Sequence, residues 1–155
     1  MSRLHIIQSL EDPLINLLQD DPVRPEIPAD FRVGTLEQIF VLQHSDTFEP
    51  EAVVCVAYRD FTPADILELA RESEGIVNTA VFYTIWSYKP GAGRKLIEQA
   101  VSWIKSNWDS VTEFVTLSPQ TEMARKFHLR NGAREWRRNG DTVNYLYSSK
   151  LDSAS

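Results

Sequence analysis

The sequence has little of what binds metal or cross-links a chain: Cys55 is its single cysteine, and His5, His44 and His128 are its only histidines in 155 residues. One cysteine excludes an intrachain disulfide framework and a cysteine-rich metal site, and the histidines show no ligand spacing, so no metal is expected. Cys55 lies inside the apolar run Val53-Val54-Cys55-Val56-Ala57-Tyr58 and reads as a core thiol. No apolar stretch approaches membrane-spanning length and the N-terminus has no secretion-type apolar core, so a cytoplasmic protein without a membrane partner is expected. A net charge of -6 disfavours nucleic acid as a partner, because phosphate backbones call for a summed basic field. Internal repeats and low-complexity segments are also missing. The length fits one domain, large enough to bury a core unaided. Its expected parts are an N-terminal helix with a proline-rich connection over 1–35, a core over 36–149 and a tail over 150–155.

What is present is a strand, a glycine turn and a helix. The apolar run Ala80-Val81-Phe82-Tyr83-Thr84-Ile85-Trp86 leads into Tyr88-Lys89-Pro90-Gly91-Ala92-Gly93-Arg94. A stripe of Leu96, Ile97, Ala100, Val101 and Ile104 follows at helical spacing, predicting a helix that begins near Arg94. Glycines let a backbone approach a phosphate, and the free N–H groups and positive dipole end of a helix bind an anion, with a pyrophosphate the natural ligand. Two glycines fit a plain strand-to-helix turn equally well. Lys89, Arg94 and Lys95 surround the turn, so an anion can be held locally against the overall charge.

The flanking pattern completes a mixed α/β (α+β) sheet with helices. A helix is predicted around 12–19, then strands over 38–43 and 52–58 as an antiparallel pair. Thr62-Pro63-Ala64-Asp65 carries a capping residue, a proline at the first helical position and a first-turn carboxylate, predicting a helix over 62–73. The central strand follows over 77–86, then a strand over 112–117, a helix over 120–131 ending at Gly132, and a hairpin over 134–147 turning at Asn139-Gly140-Asp141.

This order resembles the acyl-CoA fold of the Gcn5-related N-acetyltransferase (GNAT) superfamily, over roughly residues 36–149. Gly91 and Gly93 match its pyrophosphate motif, whereas Tyr88 stands where Gln or Arg is usual and Pro90 removes one N–H donor. Five blocks in order resemble the C-terminal domain of malonyl-CoA decarboxylase more narrowly: Ile39-Phe40-Val41-Leu42-Gln43-His44, Ala80-Val81-Phe82-Tyr83-Thr84-Ile85, Thr116-Leu117-Ser118-Pro119, Phe127-His128-Leu129-Arg130-Asn131-Gly132-Ala133 and Val143-Asn144-Tyr145-Leu146-Tyr147. The extra helix before the central strand fits that family too. The family's helical N-terminal domain and the long insertion between its serine and histidine blocks are not in this sequence, and Asp152-Ser153-Ala154-Ser155 is not a peroxisomal tail.

The resemblance implies a coenzyme A thioester, malonyl-CoA or acetyl-CoA, as substrate with no tightly bound cofactor. Its pantetheine would lie along Tyr83, Thr84, Ile85 and Trp86, and its pyrophosphate on Lys89, Gly91, Ala92, Gly93 and Arg94. It carries catalytic roles onto Ser118 and His128. An imidazole titrating near ~6.5 suits proton transfer at neutral pH; the competing account makes His128 a half-buried helix residue bonded to a carbonyl. Ser118 equally fits the N-cap of the next helix. With that helix starting near 120, His128 lies about 10 Å along its axis at ~1.5 Å per residue, so Ser118 and His128 need not touch and a hydrogen-bonded dyad is not assumed. The central strand has no acidic residue where many N-acetyltransferases place a base. Three functions are thereby implied: decarboxylation of a malonyl-type thioester, N-acetyl transfer with His128 in the usual place of a tyrosine acid, or acyl-CoA binding without catalysis. Oligomeric state is left open.

Overall fold

The computed structural model describes residues 1–148; the tail over 150–155 and the last residue of the 36–149 core lie outside the described residues. Strands β1 (Ser2–Ile7), β2 (Glu37–His44), β3 (Pro50–Arg59), β4 (Thr79–Ser87), β5 (Glu113–Thr116), β6 (Ser118–Pro119), β7 (Arg134–Arg138) and β8 (Thr142–Tyr147) form one sheet. Its order is β1-β2-β3-β4-β5-β8-β6, with β7 on the other edge of β8. Only the β4–β5 pair is parallel, the others being antiparallel. That parallel pair needs a crossover, which the helix α3 (Ala92–Asn107) supplies.

Apolar residues alternate across the strands and build a core on each face. On one face the α3 stripe Leu96, Ile97, Ala100, Val101 and Ile104 packs on Phe40, Val54, Val56, Phe82 and Phe114. On the other, Ile39, Val41, Val53, Cys55, Val81 and Val115 are covered by Leu14, Leu17 and Leu18 of a 3-10 helix, Pro13–Asp20, and by Phe31 of the short helix α1 (Ala29–Arg32). Cys55 is fully buried, as a core thiol requires.

Three departures from the predicted elements have local causes. β1 was not anticipated: six residues with only Ile7 fully buried give too faint a period, and pairing from Ser2↔His44 to Ile7↔Ile39 decides its state. The helix expected over 62–73 shrinks to the single turn α2 (Ile66–Leu69), capped by Asp65 rather than Thr62. The carbonyls of Thr62 and Pro63 accept from Arg137 and Asn144, while the amides of Glu74 and Gly75 donate to Asp60, so the ends of the segment bond elsewhere. Helix α3 starts two residues before Arg94, at Ala92, behind Gly91 as N-cap.

Helix α4 (Glu122–Arg130) is capped by Thr121, whose hydroxyl accepts from the Ala124 amide at 3.1 Å. The capping role considered for Ser118 therefore belongs to Thr121.

Candidate active site

The site begins with a break in the sheet. Between β3 and β4 the register slips, with Cys55 opposite Thr84 and Val56 opposite Phe82, so Tyr83 is an extra residue. Such a bulge bends its strand. Parallel pairing of β4 with β5 stops at Phe82↔Thr116, followed by one more bond from the Leu117 amide to the Phe82 carbonyl at 3.2 Å. From there the chain turns away, with Ser118 pairing to Val143 of β8. The two strands splay, and a cavity of about 590 Å³ opens between them, lined by Ile85, Trp86, Ser118, Phe127 and His128 and walled by Pro22 and Val23. The expected pantetheine positions Tyr83, Thr84, Ile85 and Trp86 all border it. The bulge turns the side chains of Tyr83 and Thr84 to other work: the Tyr83 ring meets Phe31 edge-on at 5.9 Å, and the Thr84 hydroxyl donates to Asp21 at 2.8 Å.

Ser118 and His128 meet at this cavity, with Oγ and Nε2 3.1 Å apart. Spacing along the chain leaves this contact open; it forms because α4 folds back over β8, the strand to which Ser118 pairs. The His128 ring stacks on Tyr145 with centroids 5.0 Å apart, and its Nδ1 lies 2.8 Å from the Tyr147 hydroxyl. The Ser118 hydroxyl donates to Thr116 Oγ1 at 2.8 Å, which also accepts from the Tyr145 amide at 3.0 Å. With the Ser118 proton given to Thr116, Nε2–H donates to Ser118 and Tyr147 donates to Nδ1, so the direction of the Ser118 hydroxyl selects the tautomer. His128 is 5% exposed, and burial pushes its pKa from the ordinary 6.5 down to about 3, so the ring is neutral at physiological pH. Burial also raises the Tyr147 phenol above its ordinary range.

The glycine turn lies at the end of β4. Gly91 has φ +79° with no atom within 4 Å of where a Cβ would stand, so its glycine answers to backbone conformation and leaves open space above the turn. At Gly93 a Cβ would lie 2.7 Å from the Phe127 ring, so this glycine lets α4 approach α3. The Ala92 amide is bonded to the Lys89 carbonyl at 3.2 Å, which removes one donor expected for a phosphate, while helix geometry leaves the next amides without carbonyls behind them. Lys89 pairs with Glu51 at 2.9 Å, and Arg94 with Glu98 at 2.9 Å. The hydrogen bond from Ser2, and then Lys89, hold the Glu51 carboxyl below its usual range despite its burial. Tyr88, in the place of the usual Gln or Arg, accepts from the Trp86 indole and donates to Asp20. Gly93→Ala is expected to cost about 1–3 kcal/mol by overpacking against Phe127, and Gly91→Ala about 1–2 kcal/mol by left-handed backbone strain. Urea denaturation of the two variants checks both.

The proline-rich N-terminal connection closes the site. Asp21 accepts from the amides of Val23 and Arg24, from Thr84 and from Arg32, the last at 2.7 Å. This fastens Pro22 and Val23 to β4. Arg24 donates to the Leu117 carbonyl at 3.0 Å. The sequence offered one cue to Thr116, whose spacing of two from Ser118 puts both on one face of an extended chain.

No family model and no curated protein matches the sequence. Solved structures do. Malonyl-CoA decarboxylase from Agrobacterium vitis superposes with a TM-score of 0.77 at 20% identity, over 99% of this chain and 62% of that one. The chain therefore spans less than two thirds of that protein's length. A putative GNAT-family acetyltransferase from Desulfovibrio desulfuricans gives a TM-score of 0.63 at 16% identity, over 96% of this chain and 99% of that one. A GNAT-family acetyltransferase from Elizabethkingia anophelis with acetyl-CoA bound gives 0.58 at 11% identity, covering 94% of each chain. The fold of this chain is that of the Gcn5-related N-acetyltransferases, in an arrangement that malonyl-CoA decarboxylase also carries.

Proposed function

We propose that this chain is an acyl-CoA enzyme that decarboxylates a malonyl-type thioester, with Ser118 and His128 as the catalytic pair. The observation that carries this is a neutral, buried His128 bonded to Ser118 at a cavity whose lining, among the described residues, contains no carboxylate and no cationic side chain. An ammonium acceptor would need a base at such a place; no carboxylate lines it, and burial pushes the pKa of its one imidazole, His128, down to about 3. A malonyl carboxylate instead gains from the apolar surroundings, which disfavour localised charge and so favour its dispersal as the bond to carbon dioxide breaks.

The electron pair of that bond passes to the α-carbon and the thioester oxygen, giving an enolate and carbon dioxide. The enolate carbon then takes one proton. Ser118 delivers it, His128 Nε2–H replaces it on Oγ, and Tyr147 reprotonates the ring at Nδ1, the deficit being made good from solvent. The net reaction consumes one proton. The coenzyme A moiety lies with its pantetheine along Tyr83 to Trp86 and its pyrophosphate over the open turn at Lys89 to Arg94. No tightly bound cofactor is required.

Incubation with malonyl-CoA, with and without amine acceptors, tests the proposal. Acetyl-CoA should appear in step with carbon dioxide and without free thiol. Thiol release that depends on an amine would make the protein an N-acyltransferase, and binding with neither product would make it an acyl-CoA-binding module.

A further inference from the structure

Thr116 is completely buried and does not border the cavity, yet its hydroxyl holds the proton of Ser118. Its position is fixed on three sides. The carbonyl accepts from Asn144 Nδ2 at 2.7 Å, the residue is in register with Phe82, and Oγ1 accepts from the Tyr145 amide at 3.0 Å. A backbone amide only donates, so one lone pair of Oγ1 is always committed to it. One lone pair and one proton remain, and Ser118 is the neighbour 2.8 Å away.

We infer that Thr116 is a positioning residue that switches the hydroxyl of Ser118 between two settings. In one setting Ser118 donates to Thr116 and accepts from His128 Nε2–H, so it shows the cavity a lone pair and no proton. Rotation of both hydroxyls reverses the first bond. Thr116 then donates to Ser118, whose two lone pairs are filled by Thr116 and His128, and the Ser118 proton points into the cavity. No covalent bond changes and His128 keeps its tautomer. A ligand oxygen that accepts from Ser118 thus meets a hydroxyl already backed by two donors.

The test replaces Thr116 with valine, which keeps the shape and loses the oxygen, and with serine, which keeps the oxygen. In Thr116→Val the Ser118 proton has lost its buried acceptor; without a ligand oxygen to draw it into the cavity, its one remaining partner in the protein is His128 Nε2, which moves the ring toward the Nδ1–H tautomer with Tyr147 accepting. Nitrogen NMR of histidine-labelled protein, with the His128 signal identified by His128→Gln, reads this change without any substrate. Thr116→Ser should retain the Nε2–H tautomer. The kinetic arm rests on the decarboxylase proposal: with malonyl-CoA, kcat of the valine variant should fall about tenfold, the worth of one hydrogen bond, with KM unchanged, and serine should restore it. Should Thr116→Val not fold, Thr116→Cys takes its place, since a thiol is a weak donor and acceptor of similar size. An unchanged His128 tautomer in a folded valine or cysteine variant overturns the inference, as does a serine variant that behaves like valine. A tautomer shift in a protein whose wild type leaves malonyl-CoA intact refutes the decarboxylase proposal and keeps this one.

Discussion

Replacing His128 with alanine is expected to lower turnover of malonyl-CoA by about 10²-fold or more, the usual scale for loss of a general acid or base. Affinity for coenzyme A should change little, because the glycine turn proposed to hold its pyrophosphate is separate from His128. His128→Gln separates two roles. Glutamine keeps a donor and an acceptor for Ser118 and Tyr147 but cannot relay a proton between them. If glutamine preserves activity that alanine loses, His128 orients the acyl group; if both variants stay fully active, the assignment fails. The same residue predicts an acid limit on stability. Its folded pKa of about 3 lies below the ordinary 6.5, so between those values the unfolded chain binds the proton and the folded protein does not. Stability from this source is complete above about 6.5 and lost as pH falls toward 3, on the order of 5 kcal/mol in full. His128→Gln should flatten that slope in urea denaturation measured from pH 7 to pH 4.

Asp21→Ala is expected to give the largest loss of stability, about 3–5 kcal/mol, the cost of leaving one partner of a buried ion pair alone. Arg32 is 1% exposed and would keep only the carbonyls of Arg24 and Ile27 and the Cys55 sulfur around its charge. Stabilities of whole domains are only about 5–15 kcal/mol, so a loss of this size is plain in a urea titration. The double change Asp21→Asn with Arg32→Met should recover much of it, since the uncompensated charge is gone. In the folded fraction of Asp21→Ala, KM for malonyl-CoA should rise more than kcat falls, because Pro22 and Val23 lose their anchor to Thr84 while Ser118 and His128 keep theirs. An Asp21→Ala protein as stable as wild type would show that the pair does not hold this wall.

The sequence by itself determined the elements with strong periodicity: the apolar β2, β3 and β4, the α3 stripe, and the hairpin turning at Asn139-Gly140-Asp141. Local chemistry sufficed there, since a period of 2 or 3.6 fixes which face is buried wherever the chain goes. It also determined that the conspicuous turn holds Gly91, whose left-handed φ no other residue adopts cheaply. Tertiary structure alone decided the rest. The edge strand β1 and the clipped α2 depend on partners roughly 40 and 80 residues away in the chain, for hydrogen bonds that no local pattern announces. The same holds for the site. Ser118 and His128 were each legible as candidates, but their contact required α4 to fold back over β8, and the burial and low pKa of His128 follow from Tyr145 and Tyr147 on that strand. Asp21 became visible only when a proline-rich connection was seen pinned across the cavity by a buried arginine. Spacing along a chain records which residues share a face; which faces meet is set by packing between distant segments, and in this protein the candidate site lies where they meet.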